Sequence, residues 1–278
     1  MRKPGQPASN RAKFWREPAF ADSELLVASY ATHCFPPHAH DEFAIGVISR
    51  GAQAYQDGRG QRAIMPQGRM CVINPGQVHE GRPATEEGWD YRMVYVSAEG
   101  LFRALGESGA TAARTLHFPS VVIDDEETKQ LFWMAHLCSE SVEATQLEKA
   151  SRLTAAICQA VTRHALAGRK LAEISAVPGA VRKAREYIDA HVAENPSLEA
   201  LSSEAGASPF HLLRAFKDAI GVAPHSYLVQ RRVERAKHLL LKGCPLRSIA
   251  IETGYCDQGH LSREFKRFYG VPPSMARR

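Results

Sequence analysis

The residues best suited to recognising another molecule occur twice near the end of the chain. Leu212-Leu213-Arg214-Ala215-Phe216-Lys217 returns as Leu261-Ser262-Arg263-Glu264-Phe265-Lys266. Arg214 matches Arg263, Lys217 matches Lys266, Gly221 matches Gly270 and Pro224 matches Pro273, each at an offset of 49. A guanidinium pairs bidentately with the acceptors of guanine, and a carboxamide such as that of Gln258 does the same with adenine. Lysines beside them suit phosphate oxygens. Two such edges are candidate readers of double-stranded DNA; the alternative is a pair of merely solvated helix faces.

The elements that must position these side chains are also doubled. Each phrase follows a shared block, Leu198 to Gly206 and Leu246 to Gly254, at an offset of 48, so the second turn carries one inserted residue. The pattern is helix, tight glycine turn, helix, twice over. Ser208 before Pro209 is a capping signal, and Asp257 takes that part in the second copy. At helical period Leu212, Phe216, Ala219 and Ile220 form one side of the first helix, which leaves Phe210, Leu213, Arg214 and Lys217 on the outer side. In the second helix Leu261, Phe265 and Phe268 face inward, with Gln258, Gly259, Ser262, Arg263 and Lys266 outward. Pro224 opens a long helix to about Leu241, roughly 27 Å at 1.5 Å per residue. That is enough to carry two reading helices about 34 Å apart, one turn of B-DNA. Arg231, Arg232, Arg235 and Lys237 on this helix are candidates for phosphate contact, or for pairing with Glu234.

From about Val181 to Arg278 the chain resembles the DNA-binding domain of the AraC/XylS family of transcription regulators. The resemblance rests on the double turn, Arg-x-Phe-Lys-x-x-x-Gly in both copies, Arg232 to Leu240, and Ile249-Ala250 with Gly254-Tyr255. It implies an all-α domain over 180–278 with two helix-turn-helix motifs. It also implies activation, the commoner mode among such proteins, with RNA polymerase as a partner. At the end, Ser274-Met275-Ala276-Arg277 supplies an arginine but not the aromatic that the family usually places before it.

Charge supports a division of labour. The 278-residue chain has a formal charge of +5 and is long enough for two domains. From Ala180 onward there are sixteen Lys and Arg against ten Asp and Glu; before it there are nineteen against twenty. All the net positive charge therefore lies beside the duplicated helices, as a polyanion-binding module requires. No apolar stretch follows the basic start and no run approaches a membrane span, so a cytoplasmic protein with no membrane partner is expected. Cysteines 34, 71, 138, 158, 244 and 256 show no metal-type spacing and are expected to stay reduced.

The N-terminal part has a different texture. Leu25 to Tyr30, Phe43 to Ile48, Ala52 to Tyr55, Met70 to Ile73 and Tyr91 to Val96 are short apolar or alternating runs broken by Gly and Pro. They predict a small antiparallel sandwich or barrel over about 25–97, with Asp57-Gly58-Arg59-Gly60 as a hairpin turn. Alternate residues of a strand share a face, which places His38, His40 and Glu42 together, with His79 opposite. Three imidazoles and a carboxylate suit a divalent transition metal. They equally suit hydrogen bonding to a small polar effector, or a purely structural role. Trp89, Tyr91 and Tyr95 either line the same pocket or fill the core.

Pro37-His38-Ala39-His40-Asp41-Glu42, Gly51, Gly68 and Pro75-Gly76-Gln77-Val78-His79 resemble the two signature stretches of cupins, the sensor fold commonly joined to AraC-type domains. Metal-binding cupins carry a glutamate four or five residues beyond the second histidine, where this chain has Ala44 and Ile45, and an asparagine where it has Pro83. The leading reading is therefore a small-molecule effector held by His38, His40, Glu42, His79 and Tyr95. No cofactor is assigned, and His38, His40 and His79 stand as the metal alternative.

The expected fold is α+β. Residues 1–168 form a cupin-like unit, with 1–20 as an arm lying against the next unit and helices over about 124–167; 169–179 is a linker and 180–278 the DNA-binding domain. Leu131, Met134, Leu137 and Cys138 mark the first of those helices, and Leu147, Leu153, Ile157, Val161 and Ala165 the second. They either cover the barrel or pair two protomers in a homodimer, as they do in the family, with Leu153, Ile157 and Val161 as the candidates. A ligand-responsive transcription regulator, not an enzyme, is the leading function. The alternatives are a cupin metalloenzyme with a helical appendage, and a DNA-binding protein whose barrel only dimerises.

Overall fold

Alternating and continuous apolar runs fold the first part of the chain into strands, and apolar stripes at helical period fold most of the rest into helices. The computed structural model describes residues 10–20, 23–104, 116–166 and 178–276. Two compact units divide the chain near residue 170, and the short segment Phe35–His38 groups with the second of them.

The N-terminal part of the chain contains β1 (Arg11–Glu17), β2 (Ser23–Tyr30), β3 (Phe35–His38), β4 (Phe43–Asp57), β5 (Arg62–Pro66), β6 (Met70–Ile73), β7 (His79–Pro83) and β8 (Trp89–Val96). It continues with α1 (Ala98–Ala104), β9 (Val122–Ile123), α2 (Glu126–Glu140) and α3 (Gln146–His164). The long β4 belongs to two sheets. Its first half lies between β8 and β6 in the order β1-β2-β8-β4-β6-β9, and its second half pairs with β5 and with β7, which in turn pairs with β3. A register shift between Ile48 and Arg50 marks the changeover, as a bulge does when it bends a strand. The sequence pattern divides this strand in two because Gly51 interrupts the apolar run.

Among the short strands, β3, β5 and β7 escape the pattern. β3 and β7 contain prolines, which suit edges and disguise a strand, and β5 is mostly exposed. The segment expected to be an arm is in part an ordinary strand: Arg11 to Glu17 pairs along its whole length with Ser29 to Ser23 of β2. Residues 1–9 lie outside the described residues.

Leu25, Ile45, Val47, Val72 and Val94 of the larger sheet form one core with Phe132 and Ala135 of α2 and Leu153, Ala156 and Ile157 of α3. Burying each of the larger side chains is worth about 1.5–3 kcal/mol. Leu153 and Ile157 are fully buried in this core and Val161 nearly so. They are used within the protomer, as the covering alternative expects.

α2 is a helix, but its inward face is not the expected one. Leu131, Met134 and Leu137 are exposed, while Thr128, Phe132, Ala135, His136 and Ser139 are buried. The buried polar groups have partners. Ser139 Oγ donates to Glu17 Oε2 at 2.7 Å and accepts from Trp15 Nε1 at 2.9 Å. His136 Nε2 meets the Met93 carbonyl at 3.2 Å, and Arg92 Nη1 lies 3.1 Å from His136 Nδ1. These contacts tie α2 to β1 and β8.

The second unit consists of α4 (Gly179–Ala190), α5 (Leu198–Ala205), α6 (Pro209–Ile220), α7 (Pro224–Leu241), α8 (Leu246–Glu252), α9 (Gln258–Tyr269) and α10 (Pro273–Ala276). Val181, Ala184 and Ile188 of α4 pack with Leu201, Leu212, Phe216 and Leu228. α7 spans 18 residues. Its cations do not all face outward. Arg232 is buried and donates to the backbone carbonyls of Val192 and Glu194 at 2.8 and 2.6 Å and to Asn195 Oδ1 at 3.0 Å, so it is not a phosphate contact. Arg231 bridges Asp189 at 2.9 Å and Glu234 at 2.8 Å. Lys237 sits over the Tyr269 ring at 4.8 Å, and Arg235 is exposed.

Candidate functional site

The two candidate reading helices are built by the same local rules. Ser208 Oγ accepts from the His211 N–H at 3.4 Å at the start of α6, and Asp257 Oδ1 from the His260 N–H at 2.7 Å at the start of α9. The His260 N–H holds the Asp257 carboxyl below the usual carboxylate range. Both helices are 12 residues long and end on a left-handed glycine, Gly221 and Gly270, whose N–H bonds the carbonyl of Lys217 or Lys266.

The packed sides are Leu212 and Phe216 in α6, and Leu261, Phe265 and Phe268 in α9. The opposite sides expose Leu213, Arg214 and Lys217 in the first helix, and Gln258, Gly259, Arg263 and Lys266 in the second, with Ser262 half-buried. The Phe210 side chain lies outside the described residues. A methyl at Gly259 would lie 3.0 Å from Asp257 Oδ1 and 3.5 Å from Arg263 Nη1. The bare backbone therefore leaves the Arg263 fork its place above the first turn of α9.

The copies differ at one exposed position that the sequence reading missed. Arg214 Nε lies 3.8 Å from Asp218, one turn on. The counterpart of Asp218 at the offset of 49 is Arg267, which lies 3.5 Å from Glu264 and adds a cation to the α9 edge. The offset itself exposes this difference. Exposed pairs of this kind are worth little energetically, so both arginines are available to a ligand.

β3 stops at His38, His40 follows in irregular backbone, and His79 opens β7. One ring nitrogen from each of His38, His40 and His79 lies within 4.8 Å of the others. The His40 ring is centred 5.2 Å from His79 and 5.2 Å from Tyr95, and Tyr55 stacks on His79 at 5.9 Å. Gln77 Nε2 donates to the Tyr55 hydroxyl at 2.8 Å. Burial, reinforced by Asp57, pushes the Tyr55 phenol well above its usual range, so it stays protonated.

Glu42 is not in this group. The strand that would have carried it onto the same face ends four residues earlier, and Glu42 sits in a bend. Trp89 and Tyr91 are core aromatics stacked near Tyr30, whereas Tyr95 faces His40. Tyr55 and Gln77 were not singled out from the sequence, although Gln77 lies inside one of its signature stretches. A separate open groove of about 440 Å³, lined by Val47, Ile48, Gln67, Lys129, Trp133 and Met134 among others, contains none of the histidines.

Comparison with known proteins agrees with this division. Residues 20–157 match the family profile of the AraC-like ligand binding domain, and residues 201–278 match a helix-turn-helix domain profile. The uncharacterized HTH-type transcriptional regulator YbfI of Bacillus subtilis is 30% identical over 227 residues, 82% of this chain and 81% of that protein. The arabinose operon regulatory protein of Escherichia coli is 25% identical over 237 residues, 78% and 76% of the two chains. Unsaturated fatty acid-bound ToxT from Vibrio cholerae superimposes with a TM-score of 0.56, covering 99% of this chain and 96% of that one, at 12% identity, which is a likeness of fold. A sheet-rich ligand-binding domain, a doubled helix-turn-helix unit and a relative of nearly the same span together place the chain in the AraC family of transcription regulators.

Proposed function

We propose that the chain is a cytoplasmic activator whose occupancy of its DNA operator is set by a small polar effector bound among His38, His40, His79 and Tyr95. The observation that carries the DNA half of this reading is the matched pair of arginine- and lysine-bearing edges on α6 and α9. Arg214, Gln258 and Arg263 read base edges in this proposal, while Lys217, Lys266 and Arg267 neutralise phosphates. Leu213, Gly259 and Ser262 supply close contact. Phosphate contacts make the affinity salt-dependent, and base contacts supply the choice of sequence.

The effector half is supported by a cluster of imidazoles and phenols in the domain that matches a ligand-binding profile. The ToxT comparison shows that an unsaturated fatty acid binds that protein; the ring nitrogens here favour a smaller, more polar ligand. Control requires that the effector bind one state of the chain more tightly than the other. RNA polymerase is the proposed downstream partner, and a homodimer the proposed form on DNA. The reported relatives are transcription regulators, which supports a non-enzymatic role. No described helix is long and apolar enough to cross a membrane.

The test is selection of genomic fragments by the purified full-length chain, followed by footprinting with and without a metabolite panel. Protection of two successive major grooves on one side of the duplex, altered by a metabolite, is expected. Recovery of no preferred sequence would refute the DNA reading; occupancy indifferent to every metabolite, with no thermal shift, would favour a barrel that only dimerises.

A further inference from the structure

We infer that Leu213 is a specificity-determining residue that reads the 5-methyl group of a thymine, beside the base read by Arg214. This rests on the reading of α6 and α9 as DNA-reading helices and names what the first of them selects.

The duplication supplies a contrast position by position. At the offset of 49, Arg214 and Lys217 keep their residue types in Arg263 and Lys266. The other positions of the edge do not. Gln258, Gly259 and Ser262 of α9 stand where α6 has Pro209, Phe210 and Leu213. A carboxamide, a bare backbone and a hydroxyl are thus exchanged for three apolar residues, while the cations beside them stay. Charge differs in the same sense, since Asp218, 3.8 Å from Arg214, stands where α9 has Arg267. The α6 edge is the less charged and the more apolar of the two.

Helical geometry gives Leu213 a place on that edge. It precedes Arg214 by one residue and Lys217 by one turn, and all three are exposed. Its neighbour Leu212 is fully buried in the core of the second unit, whereas Leu213 remains 39% exposed. The cap at Ser208 lies five residues earlier. Leu213 therefore belongs to the N-terminal half of α6, the part of a reading helix that meets base edges.

An apolar side chain in that position distinguishes one base by direct contact. In the major groove every base presents donors or acceptors, and thymine alone adds a methyl group. Covering a methyl group is worth roughly a fourfold change in affinity. An amino or carbonyl edge facing Leu213 would instead lose its water without gaining a hydrogen bond. Ser262, at the matching place on α9, can donate to or accept from either kind of edge. The thymine requirement is therefore a property of the half-site under α6.

The experiment selects duplexes from a randomised pool with the full-length chain. The selected duplex is then resynthesised with each thymine replaced in turn by deoxyuridine, which removes the methyl group and keeps every hydrogen-bonding group. One thymine is expected whose replacement weakens binding about fourfold in the unchanged chain, and has no effect in Leu213→Ser or in Leu213→Ala. Thermal melts of both variants are recorded, so that either folded one supplies the comparison. Selection repeated with Leu213→Ser is expected to relax the choice of base at that position alone. A selected duplex with no uracil-sensitive thymine, or a sensitivity that persists in a folded Leu213 variant, overturns the inference and leaves the DNA reading standing. Equal weakening of the thymine and uracil duplexes by Leu213→Ser also overturns it, because a leucine that only steadies α6 would give that result. Recovery of no preferred sequence overturns the inference together with the DNA reading.

Discussion

Arg232 donates from Nε to the Val192 carbonyl at 2.8 Å, and so anchors the middle of α7 to the residues between α4 and α5. Its Nη2 reaches the Glu194 carbonyl and the Asn195 side chain, and the guanidinium lies 5.8 Å from the Tyr255 ring. A side chain in this setting braces the DNA-binding unit and does not touch DNA.

Arg232→Ala strands two backbone carbonyls and is expected to destabilise the second unit by about 2–4 kcal/mol, since hydrogen bonds to charged groups are worth about 1.5–3 kcal/mol. Hydrogen exchange of the α4 and α7 amides is the direct readout. Unchanged protection, with a loss only in the salt dependence of DNA binding, would restore the phosphate-contact role.

The two glycine turns of the duplication differ in what surrounds them. Gly206 and Gly254 both adopt left-handed backbone, at φ 64° and 74°. A methyl at Gly206 meets nothing, whereas one at Gly254 collides with the Ala193 carbonyl and approaches Arg232 Nη2 at 2.8 Å. Gly206→Ala is expected to cost about 1–2 kcal/mol, the left-handed penalty alone. Gly254→Ala should cost clearly more. Equal shifts in urea midpoint for the two variants would contradict this.

His136 makes the first unit sensitive to acid. Burial, assisted by the Arg92 charge, lowers its pKa from 6.5 to about 4, while the Met93 carbonyl and Glu140 oppose the shift. The unfolded chain therefore binds this proton more readily than the folded one between those values. The stabilisation is complete above about pH 6.5 and is lost as pH falls toward 4, a total of about 3 kcal/mol. His136→Gln should flatten the stability profile of the first unit in that window. A profile as steep as that of the unchanged protein would assign the acid sensitivity elsewhere.

Much of the second unit was legible in the sequence because the duplication states each rule twice. Caps, glycine ends and buried stripes of α6 and α9 follow directly from residue types. Arg232 was not legible, because a long cation reads as surface until its backbone acceptors are seen. In the N-terminal part of the chain β3 and β7 were hidden by proline, and β4 was divided at Gly51. The inward face of α2 was concealed because His136 and Ser139 replace apolar residues there and are satisfied by Arg92, Met93, Trp15 and Glu17. The three histidines were identifiable by type, but Glu42 was grouped with them on the assumption that the strand continued past His38.

His38→Ala should abolish the effector-induced change in operator occupancy, because it removes one of the three converging imidazoles. Footprints recorded across an effector titration provide the comparison. A normal response would exclude this cluster as the effector site.

The central claim is that α6 and α9 present two arginine edges to one duplex. The most direct measurement is the affinity of Arg214→Ala and Arg263→Ala for the selected operator and for unrelated DNA, at fixed salt. Each substitution is expected to weaken specific binding by about 1–3 kcal/mol and to relax preference at its own base position, with the helical content unchanged. Footprints and affinities identical to those of the unchanged chain in both variants would contradict it.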